Sequence, residues 1–313
     1  MRYTERNGER ISAFSLGTVQ LGMKYGLGEH AEKPSEAEAF AILDRAAESG
    51  VTVLDTANNY GDSEQVIGRW LKLRREAGLP CPHVVTKIGP CRHGSYDMLR
   101  DDVLRQTDGC RKALGVDTLD CLMAHDYEDY AGDRDNMRKV FAEMKADGMY
   151  RVSGISAYSR HDYGVIADSG FDTVQIPQNI FDWGQIECGG MQRLADAGML
   201  IYVRSVFLQG LVFLTPEKLD PRMDFCVPYL MKFRAFCAAY EMEPAVLALS
   251  FVLSLPGVSS AVLGCDTAAQ VEMNCALFDK AKRLTDGQMA ELRAAFSNID
   301  PRVINPQCWY NKF

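Results

Sequence analysis

The chain has 313 residues, 47% of them hydrophobic, and a formal net charge of −8. That is enough apolar material for a large core. The acidic balance excludes nucleic acid as a main partner, because phosphate binding needs clustered Lys and Arg. The ten cysteines are scattered without a C-x-x-C pair, so neither a zinc or iron–sulfur site nor a disulfide framework has support, and no metal is expected.

Taken in chain order, the first signal is a hairpin. Arg2–Arg6 and Glu9–Ser12 flank Asn7-Gly8, the strongest short turn signal. Eight short β-branched or apolar runs follow: Phe14–Thr18, Val51–Leu54, Val84–Thr86, Leu119–Met123, Val152–Ile155, Thr173–Ile176, Leu200–Val203 and Ser260–Leu263. Amphipathic stretches lie between them, at Glu36–Ser49, Glu64–Ala77, Leu99–Leu114, Arg134–Asp147 and Met191–Ala197. Glycines at 50, 78, 115, 148, 170 and 198 close helical stretches, as expected of left-handed residues just past a helix end. Strands alternating with helices predict βαβ units and a parallel sheet. Eight units close naturally into a (β/α)8 TIM barrel of the α/β class. An open doubly wound sheet would usually show G-x-G-x-x-G after the first strand, and Gly17-Thr18-Val19-Gln20-Leu21-Gly22 lacks that spacing.

The apolar stretch Ala245–Leu255 is too short to span a bilayer and fits a buried helix. Thr285–Asn298 predicts a further C-terminal helix, and Asp300–Phe313 a tail packed over the barrel. The start of the chain has no apolar signal core, which points to a cytoplasmic protein without a membrane partner.

In such a barrel the active site is built at the carboxyl ends of the strands. Asp55 through Gly61 follow the second strand, Lys87 the third and His125 the fourth. A lone Lys or Asp in this half-dry place would lose its charge, but the two together remain an ion pair. An ammonium beside a phenol stabilises the phenolate, so the Tyr60 pKa is expected to fall towards neutrality. His125 can donate a hydrogen bond to the same substrate oxygen. The set suits protonation of an alkoxide and its reverse.

These residues carry a resemblance. Leu16 through Gly22, Asp55-Thr56-Ala57 with Tyr60-Gly61, Ser63-Glu64 and Ile67-Gly68, Thr86-Lys87, and Leu122 through His125 resemble motifs of the aldo-keto reductase superfamily across almost the whole chain. The resemblance implies one aldo-keto reductase-like barrel domain over residues 1–313 and a catalytic tetrad of Asp55, Tyr60, Lys87 and His125. It implies an oxidoreductase moving hydride between nicotinamide and a small carbonyl or alcohol. By the same matching, Ser156 and Gln175 hold the nicotinamide carboxamide, and Arg204, Ser205, Phe207, Gln209 and Gly210 line the segment that wraps the pyrophosphate. Gly264, Gln270 and Asn274 resemble the adenosine site.

Three positions depart from the family pattern. Ala157 stands where Asn is usual, Arg204 where many members stack a Tyr on the nicotinamide, and Asp266 where no cation awaits a 2′-phosphate. Arg204 is expected either to alter the redox preference of the cofactor or to hold an anionic substrate group. The family's habit favours NADP(H), and Asp266 leaves NAD(H) a competitor. The segment Arg204 through Gly210, Arg-Ser-Val-Phe-Leu-Gln-Gly, resembles a bacterial-type branch often linked with sugars or sugar nucleotides. Substrate contacts are expected from Tyr25, Tyr127 and Trp309, with Met23, Phe181 and Trp183 as further candidates for the pocket wall. A nicotinamide-binding regulatory or partner-binding protein with little turnover is the alternative reading.

Overall fold

A computed structural model describes residues 1–6, 9–25 and 32–310. Strands β1 (Tyr3–Arg6) and β2 (Glu9–Ser12) pair antiparallel, with Thr4 opposite Ile11. The Asn7-Gly8 turn lies outside the described residues. Eight parallel strands then close a barrel: β3 (Phe14–Gly17), β4 (Val53–Asp55), β5 (His83–Ile88), β6 (Leu119–Ala124), β7 (Tyr150–Ser156), β8 (Thr173–Pro177), β9 (Leu200–Arg204) and β10 (Val258–Gly264). They follow one another around the barrel in chain order, and β10 closes on β3, with Gly264 opposite Gly17.

All eight expected strands are present, with ends shifted by a few residues. The helix expected from Leu99 begins earlier, at Tyr96, because the Ser95 hydroxyl accepts the Met98 N–H and caps it there. The six glycines placed beyond helix ends all have positive φ. Pro244–Ser254 is the expected buried helix. The last long helix, Asp286–Phe296, opens on a capping box between Thr285 and Gln288. Among the described residues no single helix is long and apolar enough to cross a membrane.

The period-2 alternation of the strands divides two cores. Outward residues such as Phe14, Leu16, Leu54, Leu122, Ile155, Val174 and Val203 join the helices in one large apolar layer. Inward residues Val53, Val85, Cys121, Met123, Leu200, Tyr202 and Val262 fill the barrel. Ile11 of the hairpin belongs to this inner cluster and is 1% exposed, so β2 plugs the amino-terminal end. Replacing Ile11 with Ala leaves a void that the rigid barrel closes only in part. Denaturant unfolding should show a loss of about 2–5 kcal/mol. Ligand affinity at the opposite end should be unchanged.

Candidate active site

Two residues further along each strand, the same inward alternation changes chemistry. Val53 leads to Asp55, Val85 to Lys87, Met123 to His125, Gly154 to Ser156, Thr173 to Gln175 and Tyr202 to Arg204. The uppermost inward layer of the barrel is therefore polar, and the strand period gathers side chains from six strands over one mouth.

Lys87 is fully buried and Asp55 is 5% exposed. Lys87 Nζ lies 2.7 Å from Asp55 Oδ1 and donates to the Thr56 carbonyl at 2.9 Å. Burial works against the ammonium, but the charge and hydrogen bond of Asp55, together with Tyr60, hold the Lys87 pKa above the usual lysine value. Gln175 donates its amide N–H to the same Asp55 oxygen at 2.6 Å. Its own Oε1 is left as an acceptor.

The Tyr60 ring sits 5.2 Å from Lys87 Nζ and meets the His125 ring edge-on at 5.7 Å between centroids. Lys87 lowers the Tyr60 pKa, but burial and the Asp55 charge raise it more, so the net shift is upward. The expectation of a lowered phenol pKa is corrected. The physical reason is that burial penalises the phenolate and Asp55 offsets part of the ammonium field at the phenol. Tyr60 is thus a protonated phenol ready to donate. His125 is pushed down to about 3 by burial, then by Lys87 and Arg204, and is a neutral imidazole. Its Nδ1 is buried with no partner among the described residues.

The loop that presents Tyr60 is locked by close backbone contact. A Cβ on Gly22 would lie 1.9 Å from the Tyr60 carbonyl oxygen, and one on Gly61 would lie 2.2 Å from the Gly22 carbonyl oxygen. Gly61 also has φ +59°, where a side chain is strained. The Ser63 hydroxyl bonds Thr18 at 2.9 Å and Thr56 at 3.0 Å, and Thr18 Oγ1 donates to the Asp55 carbonyl at 2.8 Å. Glu64, its pKa raised by burial, accepts from Thr86 Oγ1 at 2.6 Å, beside Lys87. The residues around Tyr60 therefore serve to hold it.

A cleft of about 660 Å³ runs outward from Asp55, Tyr60 and Gln175. Its walls include Arg204, Ser205, Phe207, Gln209, Gly210, Gly264, Gln270 and Asn274, as expected, and Tyr25 at the rim. Ser205, Leu208 and Gln209 have positive φ of 62°, 45° and 50°, so this wall is a strained loop. Three cleft residues escaped the sequence reading, Gln20, Met273 and Phe213. Gln20 is 6% exposed, its Oε1 has no partner, and its amide lies where a Gly264 Cβ would stand, 2.6 Å from Nε2. Met273 and Phe213 line the outer cleft while 66% and 50% exposed. Asp266, singled out in the sequence, is the charged group at that end among the described lining residues. An unpaired amide between two spaced glycines was a possible signal for Gln20. The others become visible only when the cleft is assembled.

The model of the aldo/keto reductase family matches residues 13–296. The chain belongs to that family. It is 22% identical to a pyridoxal 4-dehydrogenase of Microbacterium luteolum, over 88% of this chain and 92% of that one. It is 23% identical to a D-threo-aldose 1-dehydrogenase of a Pseudomonas species, over 92% and 95%. The holo form of an aldo-keto reductase from Bacillus halodurans shares the fold at a TM-score of 0.75 and 20% identity, covering 97% of this chain and 100% of that one. This aldo/keto reductase is an oxidoreductase acting on carbonyl and alcohol groups.

Within the aldo/keto reductase barrel, several expected residues lie elsewhere. Ser156 pairs in register with Gln175 just behind the cleft. Tyr127 is stacked on His161 at 4.2 Å, buried and away from the cleft lining. Trp309 is 2% exposed, and its indole N–H donates to the Arg302 carbonyl at 2.9 Å. It pins the tail rather than facing the cleft. Phe181 and Trp183 pack in the helix layer. Met23 is exposed outside the cleft lining.

The tightest geometric demand in the site is on Gly22. Gly22→Ala should push the Tyr60 loop outward by an ångström or so and cut carbonyl turnover by about 10²-fold, as small misplacements of reacting groups do. Steady-state kinetics beside a melting curve checks this, with turnover falling while most of the protein remains folded.

Proposed function

We propose that this aldo/keto reductase binds a nicotinamide dinucleotide along the cleft and reduces small carbonyls, or oxidises the matching alcohols, with sugars and sugar derivatives as the substrate class. The observation that carries the reading is the buried Lys87–Asp55 pair beneath Tyr60, with His125 beside it, at the inner end of a long cleft. The sugar and pyridoxal relatives support the substrate class.

The cleft residues fit a dinucleotide. The unpaired Gln20 oxygen and the bare Gly264 beneath its amide form a polar floor that a larger residue would fill. Gln175 Oε1 would take the carboxamide, with Ser156 in register behind it. The strained backbone at Ser205 through Gly210 would take the pyrophosphate, since successive residues of this kind turn N–H groups to one side. Met273 and Phe213 would cover the adenine, with Gln270 and Asn274 at the ribose. When bound, the dinucleotide supplies or accepts hydride at the substrate carbon.

The chain handles the proton. Tyr60 Oη donates to the substrate oxygen as its negative charge develops. Lys87 then faces the phenolate and stabilises it, and Asp55 keeps Lys87 charged. The neutral His125 ring donates one hydrogen bond to the same oxygen. Met123 is fully buried inside the barrel, one inward layer below His125, and keeps the floor dry.

The resemblance favours NADP(H). The described residues of the outer cleft favour NAD(H), because Asp266 would repel a 2′-phosphate and no cation lines that end. Calorimetric titration should therefore give tighter binding of NADH than of NADPH. Tyr60→Phe should keep dinucleotide affinity within about threefold and lower turnover by about 10²–10⁴-fold, the usual worth of a positioned proton donor. Turnover within twofold of the parent would reject Tyr60 as that donor.

The pH dependence follows from the two shifts. Reduction needs the Tyr60 proton, and its pKa lies above the usual ~10. His125, at about 3, stays neutral throughout. Reduction kcat/KM should be flat from about pH 5.5 to about pH 9.5 and fall above that range. Oxidation should rise with pH over the alkaline range. An acid limb near the ordinary histidine value would contradict a neutral His125.

A further inference from the structure

Arg204 is the last inward residue of β9 and stands in register with Pro177, two residues beyond Gln175 on the neighbouring strand. Its guanidinium lines the cleft with Tyr60, Asp55 and Gln175. It donates to the Ala157 carbonyl at 3.3 Å and lies 4.6 Å from the Tyr158 ring centroid. A neutral carbonyl and an aromatic face hold the cation without cancelling it. Among the described residues its recorded partners include no carboxylate.

Asp126 and Asp182 act on the same side chains as Arg204, at His125 and Tyr163, but neither is recorded in an ion pair with Arg204 among the described residues. Asp55 is already engaged by Lys87 and Gln175. The Glu128 carboxylate is taken up by Arg160 at 3.8 Å and His161 at 3.3 Å. His125 is neutral, and both it and Tyr60 have their pKa values lowered by Arg204, which places the charge within electrostatic reach of the reacting end. The mouth thus holds Lys87 and Asp55 as a balanced pair, plus a guanidinium with no ion pair recorded among the described residues.

The reacting carbon must adjoin the oxygen held by Tyr60, so the hydride-bearing ring must lie at the Arg204 end of the cleft. That ring is neutral when reduced and carries one positive charge when oxidised. A fixed cation in a half-dry site discriminates between these two states, since charges near such a ring set its electronic balance. We propose that the Arg204 guanidinium makes this cleft bind reduced nicotinamide dinucleotide in preference to the oxidised form, biasing the bound equilibrium towards carbonyl reduction and easing release of the oxidised product. The inference rests on the dinucleotide site proposed above and adds a direction to it. The main-chain oxygen at position 157, which any residue there would supply, anchors the guanidinium.

The test is calorimetric titration of the full-length protein with NADH, NAD⁺, NADPH and NADP⁺, for the parent, Arg204→Gln and Arg204→Lys. Expected for the parent is a Kd at least tenfold higher for the oxidised than for the reduced form of whichever pair binds. In Arg204→Gln that ratio should fall at least tenfold, mainly through tighter binding of the oxidised form. Arg204→Lys keeps a charge and should keep most of the ratio. A ratio unchanged within twofold in Arg204→Gln overturns the proposal, as does an equal weakening of both forms, which would mark a phosphate contact. Loss of the ratio in Arg204→Lys as well overturns the charge argument in favour of ring shape. If the parent binds none of the four dinucleotides, the functional reading fails together with this one. If it binds them without discrimination, only this one fails.

Discussion

One buried ion pair organises this protein's chemistry. Lys87, without any exposed surface, remains charged only because Asp55 lies 2.7 Å away in a place that strongly penalises an isolated charge. Each partner makes the other tolerable. Neither is present for stability in any simple sense, since an apolar pair would fill the barrel mouth as well. What the pair offers is a fixed cation beneath a phenol. Gln175 shares the same Asp55 oxygen, so the wall that would orient a cofactor is hydrogen-bonded to the group that governs the proton.

Because Asp55 accompanies Lys87, the pair perturbs Tyr60 less than a bare ammonium would. The phenol stays protonated in the free enzyme, and its neighbour His125 stays neutral. The resting site is therefore charged with a proton and two neutral donors, a state suited to receiving a carbonyl oxygen. Arg204 adds a cation with no ion pair recorded among the described residues, and it comes from the strand after Gln175. The Arg204 guanidinium rests on the main-chain carbonyl of Ala157.

The rigidity that makes such a site possible comes from backbone contact. Gly22 and Gly61 interlock so closely that no side chain fits between the first-strand turn and the Tyr60 loop. Ser63, Thr18 and Thr56 stitch the same junction with hydroxyls, and Glu64 ties the next helix to Thr86. On the opposite end Ile11 closes the barrel. The site is held by the parts of the structure least able to relax.

The amino-acid sequence alone determined the periodicities. Alternation of strand and helix, with glycines past the helix ends, was enough for a closed eight-stranded barrel, because local backbone preference and apolar period are properties of short segments. Asp55, Lys87 and His125 were legible for the same reason: each ends a strand, and strand ends of a barrel converge. Tertiary structure alone decided what depends on facing surfaces. Tyr127 and Trp309 are aromatics whose composition suits a pocket wall, yet His161 stacking and the Arg302 carbonyl draw them into packing. Gln20 entered the cleft through the bare Gly264, more than two hundred residues away in the chain. The direction of the Tyr60 shift also waited for the fold, because it is a balance of burial and two opposite charges whose distances no local pattern encodes.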